Sequence, residues 1–239
     1  MDMKILAIGN SFSEDATALL QLLAPELFVR NMYIGGCSLQ RHCSEAQNNA
    51  ASYIYEENGA DSVGHLITLQ DALTREKWDV ITVQQVSGQS GRLESYYPYL
   101  PELISYVRKY SAAEIVFHQT WAYDHDTDHP DFALYGKNQQ TMRSAIKEAS
   151  ETASQREGLR VIPVGEMIAL LRRTPVFDKQ NGGLSLTRDG YHLSLNYGRY
   201  AAALVWCYFF TGKWPEALKE YDSKPFRTIY KTLYKGLEG

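Results

Sequence analysis

The sequence predicts an α/β protein, a three-layer α/β/α sandwich built on a five-stranded parallel sheet. Two observations carry that expectation. Five short apolar runs rich in β-branched residues (4–8, 28–34, 79–84, 114–118 and 160–164) recur along the chain, and segments of helical periodicity separate them. Strands alternating with helices of ten or more residues mark βαβ units, whose right-handed crossovers cover both faces of a sheet. At 239 residues the chain is long enough to bury such a core. No repeat or linker-like stretch interrupts it, so a single domain over 1–239 is expected.

Taken in order, Lys4–Ile8 is the first strand and Gly9 closes it. A helix is expected over Glu14–Leu23, with Ser13 as N-cap and Pro25 just past its end. Phe28–Ile34 is the second strand. Ser52–Gly59 alternates and then turns, which suggests a small hairpin. Leu66–Arg75 carries apolar residues at 66, 69 and 73 and reads as a helix before the strand Asp79–Gln84. Helices over Pro98–Tyr110, Tyr135–Gln155 and Glu166–Arg172 flank the strands Glu114–His118 and Arg160–Val164. Ser194–Thr211 is a helix that Ser194 could cap and Gly212 could end. The tail, Lys224–Leu237, is helical with a basic face turned to solvent.

Composition narrows the function. The 24 lysines and arginines against 28 aspartates and glutamates leave a net charge of −4, without the basic face that nucleic-acid phosphates require, so no nucleic-acid partner is expected. The longest apolar run, 200–210, is too short to span a membrane and reads as a buried helix. The start, Met1-Asp2-Met3-Lys4 followed at once by a strand, lacks the apolar segment of a signal peptide. A removed leader would leave the same start, so the compartment stays open. Cys37, Cys43 and Cys207 are odd in number and show neither metal nor redox spacing. Residues 124–131 are rich in Asp and His but lack the turn glycine and terminal Glu of an EF-hand, and read as a solvated or pocket-rim loop. No metal and no cofactor are expected.

Ligands of open parallel sheets bind beyond the carboxyl ends of the strands. The residues there are Gly9-Asn10-Ser11-Phe12-Ser13, Gly35-Gly36-Cys37-Ser38, Gln84-Gln85-Val86-Ser87 and His118-Gln119-Thr120-Trp121, with Asp189-Gly190-Tyr191-His192 before the last long helix. They suit acyl transfer. Ser11 lies at a strand-to-helix turn, where backbone N–H groups favour a developing negative charge. His192 is the candidate base, and Asp189 is close enough in sequence to orient it. Gly36 offers an unobstructed N–H and Gln85 a side-chain amide as further oxyanion donors. Asn10, Gln84, His118, Trp121 and Tyr191 are candidate substrate-binding residues, with Tyr123 a further aromatic wall. Cys37, with no base nearby in sequence, reads as a buried packing residue. Gly88-Gln89-Ser90-Gly91 is rejected as a nucleophile elbow because Arg92 stands where the motif needs glycine.

The blocks Gly9-Asn10-Ser11-Phe12-Ser13, Gly35-Gly36 and Asp189-x-x-His192 together resemble the SGNH (GDSL-like) hydrolase superfamily. The Gln-Gln and His-Gln-Thr-Trp-Ala-Tyr strings are similar to those of a Bacteroidetes branch treated as acetylhydrolases. The resemblance implies a flavodoxin-like strand order 2-1-3-4-5, Ser11 as nucleophile, Asp189 and His192 as its partners, and the Ser11 and Gly36 amides as oxyanion donors. Two positions depart from the pattern. Asn10 stands where the family usually has Asp, and Gln84-Gln85-Val86-Ser87 replaces the third block Gly-x-Asn-Asp, with Gln85 as the substitute donor. The implied activity is a serine esterase removing short acyl groups, acetyl above all, from carbohydrate esters, its partner being a small-molecule or glycan ester. The alternatives are a lipase or thioesterase, which needs a long apolar channel, and a carbohydrate-binding protein on a decayed scaffold.

Overall fold

The computed structural model describes residues 2–57, 60–215 and 221–238. Seven strands form one sheet: β1 (Met3–Gly9), β2 (Leu27–Tyr33), β3 (Ile54–Glu57), β4 (Ala60–Asp61), β5 (Val80–Val83), β6 (Glu114–His118) and β7 (Arg160–Ile162), in spatial order β4-β3-β2-β1-β5-β6-β7. The five strands expected to be parallel are so, in the order 2-1-3-4-5 of their appearance. The sheet is wider than expected because β3 adds to β2 antiparallel and β4 to β3. The predicted hairpin is therefore an edge extension of the main sheet; its turn, Asn58-Gly59, lies outside the described residues.

Alternation along the central strands explains the layers. In β1, Ile5 and Ala7 belong to one core and Leu6 and Ile8 to the other, all at most 1% exposed. A strand apolar on both faces must be covered on both. On the first face lie α1 (Ser11–Thr17), α2 (Leu20–Leu23), α7 (Val164–Leu171), α8 (Tyr197–Thr211) and α9 (Lys224–Glu238). On the second lie α3 (Leu39–Gln47), α4 (Leu69–Arg75) and α5 (Tyr99–Tyr110). The long α6 (Gln139–Glu157) contributes Met142 and Ile146 to the first core and Ala149 and Ala153 to the second. α9 buries Phe226, Ile229 and Leu233 and turns its Lys and Arg residues outward, as expected.

Three helix expectations are corrected. The first helix begins at Ser11, not Glu14, and its cap is Asn10, not Ser13, because the Asn10 side chain already accepts the Phe12 N–H. α8 begins at Tyr197 under Asn196 rather than Ser194, although Gly212 ends it in the left-handed conformation. α3 was not expected at all: its buried stripe is Leu39, His42, Cys43 and Ala46, and a histidine and a cysteine hold two of the core positions. Among the described residues no helix is long and apolar enough to cross a membrane.

The register aligns the strand ends: Gly9 faces Tyr33, Ile8 faces Val83, Val83 faces Phe117, and His118 faces Ile162. The loops after β1, β2, β5 and β6 thus leave on one edge of the sheet. β1 lies where the order reverses, between β2 and β5, and crevices open at such points.

Two histidines are sealed in this fold. Burial pushes both His42 and His118 down to about 3, whereas an unfolded histidine titrates near 6.5. Between those values the unfolded chain takes up protons that the folded chain does not, so stability falls as pH falls through that window. The expected outcome is a urea midpoint that drops from pH 7 to pH 4, with a slope approaching about 2.7 kcal/mol per pH unit for two sites. His42→Gln should flatten the profile.

Candidate active site

The end of β1 and the loop before α8 meet at a line of hydrogen bonds. Ser11 Oγ lies 2.8 Å from His192 Nε2, and His192 Nδ1 lies 2.6 Å from Asp189 Oδ2. The other Asp189 oxygen accepts the backbone N–H groups of His192 (2.8 Å) and Tyr191 (3.2 Å). Burial pushes the Asp189 carboxyl up, but the bonds from the His192 ring and from those two amides outweigh it, and the group is held below the usual carboxylate range. A carboxylate only accepts, so Nδ1 carries the proton and Nε2 faces the Ser11 hydroxyl as an acceptor. Ser11 is the first residue of α1, and its own N–H and that of Gly36 have no partner among the described residues. Gly36 sits at φ +61°, a conformation that favours glycine.

Beneath Ser11 runs a second chain whose polarity is set by one backbone N–H. Phe12 N–H donates to Asn10 Oδ1 (3.0 Å), which leaves Asn10 Nδ2 to donate to Cys37 O (3.0 Å). Gln84 Nε2 then donates to the same Oδ1 (2.8 Å), so Gln84 Oε1 accepts from His118 Nδ1 at 2.9 Å. His118 is neutral with its proton on Nδ1. Its Nε2 is buried without a partner among the described residues, as is Trp206 Nε1, and the two rings meet edge-on at 5.2 Å between centroids.

This arrangement corrects three expectations. Gln85, expected as an oxyanion donor, accepts from Leu39 N and Val86 N and donates to Ser95 O (2.8 Å) and Ser95 Oγ (3.0 Å). With both N–H bonds turned to Ser95 it fastens the loops together and offers nothing to a ligand. His118, Gln84 and Asn10, expected in substrate binding, are 0%, 1% and 1% exposed, and the Asn10 side chain is committed to Phe12 N, Gln84 and Cys37 O. Trp121 is also fully buried: it stacks on Phe12 at 4.3 Å and donates to Tyr191 O at 2.7 Å. It shapes the site through those two neighbours. Cys37 is buried as expected, its thiol pushed up to about 12 by burial.

Two buried carboxylates hold the His192 loop; Asp15 was not singled out from sequence, and Asp124 was read only as part of the solvated or pocket-rim stretch 124–131. Asp15, on α1 and 0% exposed, receives Arg188 Nη1 at 2.9 Å on each oxygen, Arg199 Nε at 2.8 Å and the Leu193 N–H at 2.9 Å. Asp124 receives Arg172 (2.6 Å), Thr187 Oγ1 (2.6 Å), Ser185 Oγ (3.0 Å) and Lys179 (3.2 Å), while its own N–H donates to Gly190 O. Burial pushes Asp124 up, but Arg172 and the other donors hold it below the usual carboxylate range. With Asp124 and Asp126 engaged by Lys179 and Arg172, the 124–131 stretch is tied into the fold; among the described residues no group of three potential metal ligands converges.

The cleft that opens over Ser11 has a volume of ≈ 320 Å³. Its lining combines Asn10, Ser11, Phe12, Gly36 and His192 with Val86, Ser87, Tyr123, His129, Asp131 and Tyr191; Tyr123, expected as an aromatic wall, is 0% exposed and lies behind that surface. Tyr191 is where the sequence places it, tilted against the His192 ring at 4.4 Å. Ser87, His129 and Asp131 were missed as individual residues. The pocket-rim reading of 124–131 covered the last two, and Ser87 follows the Gln-Gln pair that drew attention instead.

Comparisons with known proteins bear on the fold and the family. A protein from Slackia heliotrinireducens, described as a candidate SGNH hydrolase, superposes with a TM-score of 0.59 at 23% identity, over 87% of this chain and 98% of that one. A catalytic mutant of an acetylxylan esterase from Geobacillus stearothermophilus superposes with a TM-score of 0.50 at 13% identity, over 91% and 99%. The architecture is that of the SGNH hydrolase superfamily. A family model described as "Domain of unknown function (DUF4886)" matches residues 4–225. The crystal structure of a DUF4886 family protein from Bacteroides uniformis has a TM-score of 0.89 at 36% identity, over 100% of this chain and 95% of that one. The chain belongs to the DUF4886 family. A search of curated proteins finds no match.

Asp15→Ala leaves two guanidinium groups and the Leu193 N–H without their shared acceptor. It should cost about 3–5 kcal/mol in urea unfolding. Gln85→Ala should lower the melting temperature yet spare turnover the 10²–10³-fold loss that removal of an oxyanion donor brings; a loss of that size would restore Gln85 to the site.

Proposed function

We propose that this protein is a serine esterase that removes short acyl groups, acetyl above all, from carbohydrate esters. The observation that carries the proposal is the hydrogen-bonded line Ser11–His192–Asp189 opening directly onto a cleft. Ser11 Oγ attacks the ester carbonyl while His192 Nε2 takes its proton, and Asp189 stabilises the imidazolium. The carbonyl electrons move to oxygen, where the N–H groups of Ser11 and Gly36 meet the negative charge. Collapse breaks the ester C–O bond, and His192 returns the proton to the departing alcohol. Water then repeats the sequence on the acyl-enzyme, releasing the carboxylic acid and Ser11.

Two features support a short acyl group and a sugar. The cleft is small and mixed in character, with Ser11, His129 and Asp131 among its walls, where a long acyl chain would require a continuous apolar channel. His129 and Tyr191, both half-buried, bring ring surfaces to the cleft lining, and pyranose rings stack on such surfaces. The fold shared with an acetylxylan esterase agrees with that choice.

The test is hydrolysis of p-nitrophenyl esters from acetate to octanoate. Acetate should be preferred, with turnover falling on the order of 10⁴-fold or more in Ser11→Ala and in His192→Ala and less in Asp189→Ala. A fluorophosphonate probe should label the wild type and not Ser11→Ala. Absence of both hydrolysis and labelling would remove the esterase reading.

A further inference from the structure

One charge in the cleft has no counterpart. The Asp131 carboxylate lines it beside Ser11 and His192, yet among the described residues no donor hydrogen-bonds to it and no cation pairs with it. No lysine or arginine lines the cleft. The position of Asp131 is nevertheless tightly fixed. Its N–H donates to His129 Nδ1 (3.2 Å) in the short 3₁₀ turn 130–135. A side chain on residue 88 would bring its Cβ within 1.9 Å of Asp131 Oδ2, so only glycine admits the carboxylate there. Tyr135 pins the two segments, donating to Gly88 O (2.9 Å) and accepting from Gly91 N (3.0 Å).

The surroundings of Asp131 define what it meets. His129 Nδ1 accepts a backbone N–H, so the neutral ring carries its proton on Nε2, a donor with no partner among the described residues. The His129 ring lies 4.6 Å from Tyr123 and 4.7 Å from Tyr191. Ser87 Oγ and Tyr123 Oη are hydrogen-bonded at 2.8 Å. An ester seated over Ser11 therefore shares its cleft with the Asp131 carboxylate, the half-buried rings of His129 and Tyr191 and the His129 imidazole N–H.

Two neighbouring hydroxyls of a sugar match two carboxylate oxygens as donors to acceptors, and such charge-assisted bonds are the stronger kind. A second negative charge beside Asp131 is instead repelled, by on the order of ten- to a hundredfold in binding at the dielectric of a partly enclosed cleft. We propose that Asp131 sets specificity for the alcohol part of the substrate: a neutral, hydroxyl-bearing sugar is held through paired hydroxyl bonds to Asp131, and uronates and other anionic sugars are excluded. The proposal deepens the esterase reading and rests on it.

The test uses the full chain carrying Ser11→Ala, which removes turnover and keeps the cleft. Methyl glucoside and methyl glucuronide are titrated by NMR in low and in high salt, with and without Asp131→Asn. The expected result is a neutral sugar bound at least tenfold tighter than the uronide in low salt. The gap should narrow in high salt, as screening requires, and close in Asp131→Asn, which is isosteric but uncharged. A gap that survives Asp131→Asn, equal affinities in the parent protein, or no binding of either sugar overturns the proposal. Failure of the esterase reading shows separately, as loss of Ser11-dependent p-nitrophenyl acetate hydrolysis in the protein with Ser11 intact.

Discussion

The constraint on which the site depends is the buried carboxylate of Asp15. It lies four residues after Ser11 on the same helix, and its donors come from residues 188, 193 and 199, on both sides of His192. A carboxylate at 0% exposure is tolerable only when its oxygens are fully bonded, so the loop must close onto α1 for the helix to pack at all. Burial thus turns a long-range closure, across nearly the whole chain, into a condition of folding. Ser11 and His192 meet because Asp15 has nowhere else to find its partners. Asp124 does the same from the far side, joining the loop after β6 to Thr187 and Gly190.

Much of this was legible in the sequence, and the reasons are physical. The five parallel strands announce themselves because buried strands must be apolar on both faces, as Ile5 to Ile8 are. Ser11, Asp189, His192 and Gly36 stand at strand ends or in a short motif whose geometry is local: an aspartate three residues before a histidine reaches its ring and its amide at once. What escaped is what depends on pairing between distant segments. Gln85 has the donors of an oxyanion residue, but its direction is decided by Ser95, ten residues on. Trp121 and His118 sit at a strand end like pocket residues, and only the packing of Phe12 and Trp206 shows that they lie beneath the floor. Asp15 looks like an ordinary exposed acid of a first helical turn until its two arginines are found. α3 escaped because a histidine and a cysteine hold core positions that a hydrophobic pattern would assign to aliphatics.

The cleft therefore has two electrostatic characters. Near α1, Asp189 is bonded by the His192 ring and two backbone amides, and Asp15 is paired with Arg188 and Arg199. Beside Ser87 and His129, Asp131 has no such partner among the described residues. On the proposed esterase reading, the first side acts on a carbonyl and the second sorts what is attached to it. Rigidity is common to both, since Gly88 and Tyr135 fix Asp131 as firmly as Asp15 fixes His192.

The hydrogen-bond chain under Ser11 also limits which replacements can be accepted one at a time. Asn10 uses its oxygen for Phe12 N–H and Gln84 and its nitrogen for the Cys37 carbonyl. The aspartate that the superfamily usually carries here would keep the first two bonds and turn an oxygen toward that carbonyl. Two acceptors would then face each other in a buried place. In this chain position 10 and the peptide at 37 are consequently a linked pair: an aspartate at 10 requires that peptide to rotate or find a new donor. A block at the end of the first strand and a block at the end of the second, read separately in sequence, are here one hydrogen-bonded unit.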